Sequence, residues 1–468
     1  MKKTLRIILT LMLIVVGIAT FSACTKKIAE KSPYDASGEV INNGTPVVRK
    51  GKYIYFANGY QDKFDGNEWG KPVKGALYRA EVDEKGIIKK DTQKPFVKTI
   101  VWTSEKSNEK MGLYIYNNWI YYASPSIDRD SNGQASKTKL DFWRTKLDGS
   151  ATQKIHTVNN REVDFMFKEN HLIYFLDKTI YTLDFSHLNS VKNNSQRLNK
   201  RVQKTLKKIE ENVTSYLWRL DSDYIFYVYK NPKDTSEDMD LMRSNYKGGD
   251  KKAVIPKGSY LTDAEKAEKE KHKDKLFGFR LISWLKTDTE NTILYQKVSQ
   301  NTVQGSVSNL YANKILEGAN LDIKNEKHYG VTDRAGTYFF LLGYDKGVYE
   351  YDGSKLKYKY YDGDKLIAHT VYEKEVRYAF YDGGNKIYFL KKETGDVLYS
   401  AELNRNPLEI VIKGLAVKHN YSRPVMFGDI LYYFNEKDGY LYCVDTSNHD
   451  NKPTNVSVEE KKKSNTKK

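Results

Sequence analysis

Cysteine and long apolar runs are the two scarcest features of this 468-residue sequence. Cys24 and Cys443 are its only cysteines, which excludes a fold held together by a network of disulfides. Only the N-terminal apolar run approaches the ~20 residues that span a bilayer. The rest of the chain is therefore expected to fold in water, with Cys443 as a buried, inert thiol inside an apolar strand.

Catalytic signatures are missing as well. The sequence contains no H-E-x-x-H, no G-x-S-x-G, no phosphate-binding glycine loop and no C-x-x-C. Its eight histidines are scattered without the spacing of metal ligands. A pair of catalytic carboxylates stays open as an alternative, because the two residues of a glycosidase come from distant parts of a chain and need no recognisable spacing.

What the sequence has in abundance is a repeated pair of strands. In the stretch Asp429–Asp445, an apolar and aromatic run precedes an Asp-Gly turn and a second run, which is typical of a β-hairpin. Eight copies of the pattern begin about 40 to 70 residues apart. Their central runs are Tyr53–Phe56, Trp119–Tyr122, Leu172–Phe175, Tyr224–Tyr227, Thr292–Tyr295, Thr337–Phe340, Lys386–Phe389 and Asp429–Tyr432.

This repeat predicts an all-β protein, a β-propeller of four-stranded blades with small helical or loop insertions. Units of this length with several short strands are typical of propellers. Consecutive apolar residues indicate strands that are buried on both faces, as they are in a blade between two neighbours. A β-sandwich would show alternating apolar and polar residues and no period. We predict one domain over residues 45–450 with eight blades; seven and six are the alternatives.

The N-terminus has the features of a secretory signal. Lys2, Lys3 and Arg6 precede an apolar run that ends at Phe21-Ser-Ala-Cys24. Because it ends on cysteine, the run resembles a bacterial lipoprotein signal, in which leucine is usual at the position of Phe21. The resemblance implies a signal peptide at residues 1–23, lipidation of Cys24, a polar tether at 24–44 and a place on the extracytoplasmic face of the cell membrane. An uncleaved signal anchor is the alternative.

The sequence is strongly basic, with a formal net charge of +17. Residues 187–208 carry seven lysines and arginines and no acidic residue, whereas residues 262–275 mix both signs. We interpret both as solvated insertions between blades, and residues 451–468 as a disordered basic tail. The excess positive charge favours an anionic membrane or cell-wall polymer as partner. Nucleic acid is not predicted, because no nucleic-acid-binding motif accompanies the charge.

Two sets of side chains are candidates for binding. Asp128, Asp130 and Asn132 have the spacing that opens a calcium loop. The twelfth position of such a loop, which needs a bidentate carboxylate, is Lys139, so a polar turn is the favoured interpretation. Large aromatics occur in the runs that we interpret as innermost strands. They favour packing between blades over stacking on a sugar or peptide, and they are Tyr114, Phe165, Trp218, Trp284 and Tyr378.

The units Ile120–Tyr122, Phe142–Arg144 and Leu147–Ser150 resemble those of clostridial surface lipoproteins whose domain of unknown function is related to YWTD-type and TolB-like propellers. The resemblance covers about residues 45–450 and implies an extracytoplasmic propeller that binds protein or glycan, with no catalytic residues carried over. We therefore predict a membrane-anchored, non-catalytic binding or scaffolding module that needs no cofactor. The alternative is a propeller-fold glycoside hydrolase or lyase acting on a polysaccharide.

Overall fold

Consecutive strands pair with one another throughout the described chain and form eight antiparallel sheets. The computed structural model describes residues 38–60, 70, 73–102, 112–129, 131–134, 136–190, 196–233, 239–259, 266–267, 276–301, 305–332, 337–381, 386–402, 405–417 and 424–459. The predicted signal peptide, Cys24 and nearly all of the charged segment 262–275 lie outside these residues. No helix in this part of the chain is long and apolar enough to cross a membrane.

Each sheet is one blade, and the blades follow one another in chain order. Blade 1 contains five strands and blades 2 to 4 four each: β1 (Val40–Ile41), β2 (Val47–Lys50), β3 (Tyr53–Ala57), β4 (Ala76–Glu81), β5 (Lys94–Ile100); β6 (Tyr114–Tyr116), β7 (Trp119–Pro125), β8 (Leu140–Lys146), β9 (Thr152–Val158); β10 (Asp164–Lys168), β11 (His171–Leu176), β12 (Thr179–Asp184), β13 (Lys207–Glu210); β14 (Val213–Trp218), β15 (Tyr224–Lys230), β16 (Met239–Asn245), β17 (Lys252–Ile255).

Blades 5 to 8 also have four strands each. They are β18 (Leu276–Lys286), β19 (Asn291–Asn301), β20 (Gly305–Lys314), β21 (Lys327–Thr332); β22 (Tyr338–Gly343), β23 (Gly347–Tyr351), β24 (Leu356–Asp362), β25 (Lys365–Tyr372); β26 (Val376–Tyr381), β27 (Lys386–Lys391), β28 (Leu398–Glu402), β29 (Arg405–Ile412); β30 (Val425–Phe427), β31 (Ile430–Phe434), β32 (Leu441–Asp445), β33 (Thr454–Asn455). One described α-helix of eight residues, α1 (Gln196–Gln203), interrupts blade 3 between β12 and β13.

The core lies between the blades, which confirms the predicted eight-bladed propeller. Each apolar cluster is shared by neighbouring blades, and the clusters continue around the whole ring. Every residue of Ile430–Phe434 is buried, as consecutive apolar residues predict for a strand covered on both faces. Between blades 4 and 5, the ring of Phe226 meets the edge of Trp284 at a centroid distance of 4.9 Å.

An arginine in the third strand explains part of the sequence repeat; here and below, the strands of blade 1 are counted from β2, because β1 is a two-residue addition at the edge of β2. Its guanidinium stacks on the aromatic residue that begins the second strand of the same blade. This aromatic residue comes two positions before the residue that pairs directly with the arginine across the two strands. Such cation–π contacts gain strength where water is excluded. The three pairs are Arg79 on Tyr53 at 5.4 Å, Arg144 on Trp119 at 4.3 Å and Arg243 on Tyr224 at 4.8 Å from guanidinium carbon to ring centroid.

The ring closes between blade 8 and blade 1 without exchange of a strand among the described residues. The Asn58 side chain donates to the Val458 carbonyl at 2.8 Å and accepts from the Val458 amide at 2.7 Å. Tyr60 N donates to Gly439 O at 2.6 Å. Gly59 has a φ of +89°, and a Cβ there would lie 2.9 Å from Gly439 O, so this close approach requires glycine.

Blades 5 and 6 depart from the predicted pattern. In blade 6 the run around Tyr338 forms the first strand, whereas the corresponding runs of the other blades form the second strand. In blade 5, β18 begins eleven residues before its turn, compared with six for β22. At ~3.3 Å per residue, β18 reaches about 16 Å further than β22 in the direction away from the turn.

The two faces of the ring differ in what they carry. We call the face where each first strand begins the mouth face, and the face where it turns into the second strand the turn face. Val40 pairs with Lys50, which precedes the β2–β3 turn, so the chain enters the propeller on the turn face. The connection that contains α1 joins a third strand to a fourth, so it starts and ends on this face. The helix itself packs against β9, the outermost strand of blade 2.

Both ends of the propeller extend beyond the predicted limits of residues 45 and 450. β1 lies within the predicted tether at 24–44, and β33 lies within the predicted tail at 451–468. Val456 is 1% exposed, and its amide donates to Leu441 O at 2.9 Å. Residues 451–459 therefore complete blade 8, because the edge of β32 needs a strand to pair with.

Candidate functional site

The insertion in blade 3 contains a basic helix whose apolar face is buried. In α1, Leu198 and Val202 are four residues apart and therefore lie on one face. They are 9% and 0% exposed and belong to the apolar cluster of blades 2 to 4. The Thr205 hydroxyl donates to Asp184 O at 2.6 Å just after the helix. The insertion, interpreted as a solvated loop from the sequence, is thus a docked element.

The opposite face of this segment carries only positive charge. We call residues 196–208 the cationic insertion. They include no acidic residue, and all six of their basic side chains are exposed: Arg197, Lys200, Arg201, Lys204, Lys207 and Lys208. Of these six, only Lys208 forms an ion pair within the described residues, with Glu211 at 2.5 Å. The hydrogen bond from Glu211 raises the pKa of Lys208 above its ordinary value.

Blade 2 holds the insertion by two buried polar groups. Arg144, fully buried on β8, donates to Asn189 Oδ1 and to Gln153 Oε1, both at 2.7 Å. His156, on β9, shares a 2.8 Å hydrogen bond between its Nδ1 and Gln203 Oε1 at the end of α1. The arginine of the Phe142–Arg144 motif therefore fixes the start of the insertion, and the histidine fixes its helix.

His156 is buried in a neutral environment. Its ring stacks on Phe142, and its Nε2 lies 3.3 Å from the Tyr174 hydroxyl. Burial lowers the pKa of His156 to about 4, because it disfavours the charged imidazolium. The Lys154 ammonium lowers this pKa as well, whereas the Gln203 hydrogen bond and the Asp141 carboxylate raise it. At neutral pH the contact to α1 is a hydrogen bond between uncharged groups.

The predicted calcium loop lies in the connection between β7 and β8 of blade 2, on the mouth face. Asp128 Oδ2 is 3.5 Å from Lys154 Nζ, which in turn is 2.8 Å from Asp141 Oδ1. Asn132 is also described, whereas Asp130 is outside the described residues. A lysine ammonium thus neutralises part of the carboxylate charge that a calcium ion would use. Among the residues that can be placed, no three His, Cys, Asp or Glu side chains form a metal-binding group.

The aromatics predicted for the innermost strands do occupy first strands. Tyr114 and Phe165 are almost fully buried, and the Tyr114 hydroxyl donates to Phe165 O at 3.2 Å across two blades. Trp284 Nε1 donates to Asn291 Oδ1 at 2.9 Å. Trp218 is partly buried and lies 4.6 Å from the ring of Tyr216. The side chain of Tyr378 is outside the described set. The four that are described serve mainly to pack blade against blade.

Tyr338, which the sequence patterns did not single out, is the exposed aromatic at the mouth. It begins β22 and is 63% exposed. Its ring is nearly parallel to that of Tyr351, with an interplanar angle of 16° and a centroid distance of 6.5 Å. The Tyr351 hydroxyl donates to Val376 O at 2.6 Å, at the start of blade 7, which fixes this second ring. The two tyrosines form one platform on the mouth face.

Four matched ion pairs surround this platform on blades 6 and 7. Each joins one lysine to one carboxylate, so the group is neutral. We call it the paired belt: Lys355–Glu373 at 2.8 Å, Lys357–Asp352 at 3.2 Å, Lys374–Glu393 at 2.8 Å and Lys392–Glu375 at 2.6 Å. The residues lie in the β23–β24, β25–β26 and β27–β28 connections or at their edges, which all open on the mouth face.

Two carboxylates near the platform are held by lysines. Glu350 Oε2 is 2.5 Å from Lys359 Nζ, and Lys357 Nζ lies 3.9 Å from Glu350 Oε1 and 3.2 Å from Asp352 Oδ2. Burial would raise the pKa of Asp352, but hydrogen bonds from Ser354, Lys355 and Lys357 hold it well below its ordinary value. Asp352 is thus a turn residue whose lowered pKa does not favour it as a proton donor, and Glu350 is half of a buried ion pair.

Cys443 is buried, as predicted. It is 3% exposed on β32 within the cluster shared by blades 8 and 1. Burial raises the pKa of its thiol to about 12, so the thiolate that would react is not formed at neutral pH.

No family model matches the sequence, and no curated protein matches it. Among solved structures, the chain is similar to a puromycin-hydrolyzing peptidase of Mycobacterium tuberculosis (9% identity, 77% of this chain and 56% of that one, TM-score 0.40). It is also similar to an acylaminoacyl peptidase of Pyrococcus horikoshii (13%, 76% and 54%, 0.38) and to the polysaccharide lyase Uly1 (10%, 76% and 90%, 0.41). The chain spans about half the length of the two peptidases. At these identities the similarity concerns the fold alone.

Proposed function

We propose that this protein is a lipid-anchored, extracytoplasmic propeller that binds without catalysis. Its turn face docks on phosphate-bearing surfaces of the cell envelope through the cationic insertion, and its mouth face is displayed outward. The lipid at Cys24 is a prediction from the sequence. The observation that carries the proposal is the construction of the insertion. Its apolar face is buried in the core, and six exposed cations remain outside, five of them without a carboxylate partner among the described residues.

The path of the chain supports this orientation. Val40 pairs with Lys50 beside the β2–β3 turn, so a tether attached to residue 38 leaves from the turn face. The connection that carries the cationic insertion also starts and ends on this face. A lipid on such a tether would bring the insertion close to anionic headgroups, where each exposed lysine contributes about 1 kcal/mol.

Binding of the chain from residue 25 onward to anionic vesicles, and separately to purified phosphate-rich cell-wall polymer, tests the docking. We expect binding at low salt and release by about 0.5 M salt, where screening leaves only contacts shorter than a few ångströms. Substituting Lys200, Arg201, Lys204, Lys207 and Lys208 by glutamine should weaken it strongly. The two arms show whether lipid or wall polymer is the source of the phosphate.

Five other exposed lysines provide the matched control. They are spread around the ring and also become glutamine: Lys89, Lys324, Lys365, Lys437 and Lys452. Equal weakening by both sets would mean that net charge alone, and not the insertion, drives binding. For the anchor, lipid labelling of the full chain in cells should be lost in Cys24→Ala; labelling of that variant would refute it.

A further inference from the structure

The mouth face carries a second feature that the docking surface does not use. Tyr338 and Tyr351 offer a flat aromatic surface at the inner edge of blade 6, where most large side chains are buried between blades. Tyr338 has the largest exposed fraction of the apolar side chains in the described chain, at 63%. An exposed aromatic that is held in place by a stacked neighbour points to a binding surface rather than to packing.

Blade 5 extends further at the mouth than blade 6 does. Its β18 strand lies next to β22, and the Leu281 amide, near the middle of β18, donates to Ser215 Oγ of blade 4 at 3.1 Å. From that level β18 and β19 remain paired out to Leu276 and Gln300, with β20 beside them. Phe279, 4% exposed, packs this extension against blade 4.

The ion pairs beside the platform are polar, but together they carry no net charge. The paired belt supplies four ammonium and four carboxylate groups in neutral pairs. An anionic ligand would find no uncompensated cation among them, in contrast to the cationic insertion. Groups of this kind can donate and accept hydrogen bonds at the edge of a neutral ligand.

From this geometry we propose that the mouth of blade 6 binds a neutral pyranose ring of a glycan. A hexopyranose with equatorial substituents has one apolar face of C–H bonds, which fits the ring of Tyr338, and hydroxyls around its rim, which fit the belt. The ligand would lie along blades 6 and 7, which carry the belt. The site is on blade 6 and the cationic insertion on blade 3, so it stands independently of the docking proposal.

The test uses the full chain in detergent and a hexamer of N-acetylglucosamine as the probe, with binding followed by saturation-transfer NMR and calorimetry. We expect weak but saturable binding. Tyr338→Ala should lower the affinity about tenfold through loss of the stacking contact, and Tyr338→Phe should keep it within about twofold, since the ring remains. Both substitutions are at an exposed side chain, so folding is maintained.

Leu316→Ala is the matched control, because Leu316 is another exposed apolar side chain, at 49%, on the opposite face of blade 5. An equal loss in Tyr338→Ala and Leu316→Ala, no binding of the hexamer at 10 mM, or capture of a proline-rich peptide in place of the sugar would each overturn the proposal. Binding that persists in the five-glutamine variant of the insertion would separate this site from the docking surface, whereas its loss there would assign the sugar to the insertion and refute the mouth site.

Discussion

The cationic insertion of blade 3 and the paired belt of blades 6 and 7 are both rich in exposed lysine, yet their charges are arranged differently. Five of the six cations in the insertion have no carboxylate partner among the described residues, whereas each lysine of the belt faces one carboxylate within 3.2 Å. The insertion produces a field that extends into solvent, and the belt cancels its own. The position of the partners, more than the number of lysines, therefore decides which face attracts an anionic surface.

The largest expected effect comes from reversing charge in the insertion. Lys200→Glu, Lys204→Glu and Lys207→Glu together should lower affinity for anionic vesicles at least about 100-fold at 0.1 M salt, since each position turns attraction into repulsion. Sedimentation with vesicles measures this. The same reversal of Lys355, Lys374 and Lys392 in the belt should change binding by much less; a similar loss there would remove the distinction between the two regions.

A second prediction concerns the docking of α1, which keeps the cations on one side. Val202→Asp places a carboxylate in the apolar cluster and should lower the free energy of unfolding by about 3 kcal/mol, because the charge has no partner there. Chemical denaturation measures the loss, and limited proteolysis should show cleavage within residues 196–208. Arg201→Asp, at the exposed neighbouring position, should cost less than about 0.5 kcal/mol.

The pH dependence of stability tests the hydrogen bond that holds α1. The pKa of His156 is about 4 in the folded protein and near 6.5 in an unfolded chain. As pH falls through 6.5, the unfolded chain gains a proton that the folded protein does not, so stability decreases until about pH 4. The total is about 3 kcal/mol. This loss of stability should be absent from His156→Gln but persist in His369→Gln, whose histidine is exposed.

A smaller effect is expected for single pairs of the belt. Lys374 and Glu393 are 68% and 45% exposed, so a double-mutant cycle with alanine should give a coupling energy of about 0.5 kcal/mol or less, decreasing with salt. Urea denaturation at two salt concentrations measures it. A coupling above about 2 kcal/mol would mean that the belt is a structural element and that its neutrality is a by-product of folding.

The smallest effect concerns calcium at the Asp128 loop. Binding there would raise the melting temperature by about 1 °C at millimolar calcium, because Lys154 already neutralises Asp128. Asp130→Ala should abolish the shift, and Lys154→Gln should enlarge it. A melting temperature that does not respond to calcium in the Lys154→Gln variant would retire the site.

The ring could be predicted from the sequence, but the position of one hairpin within it could not. Repeat length and consecutive apolar residues identify blades because both follow from burial on two faces. β22 and β23 pair as the repeat predicts for the run Thr337–Phe340 and the run that follows it, since a short turn joins them. Whether they are first and second or second and third strands depends on β21, which pairs with blade 5. That choice is a tertiary contact, invisible to a local pattern.

The candidate surfaces were predictable to different degrees. The cations of residues 187–208 are visible in the sequence. The sequence also contains the signal for a docked helix, which is the four-residue spacing of Leu198 and Val202, but the interpretation as a solvated loop did not use it. Tyr338 gives no such signal. Its run reads as fully apolar, yet Tyr338 begins β22 at the mouth and is exposed, while four of the five residues after it are buried or nearly so. The lipid at Cys24 stays a prediction.

The seam between blades 8 and 1 has a consequence for how the protein is made. A chain that folds from its N-terminus can form blade after blade as the residues arrive, but the hydrogen-bond partners of Asn58 and Tyr60 lie at Val458 and Gly439. The first blade must therefore wait for the last with one side uncovered. Among the described residues no strand is exchanged at this seam, so the ring closes when the surfaces of two complete blades meet. A chain that ends before residue 439 therefore cannot close the ring.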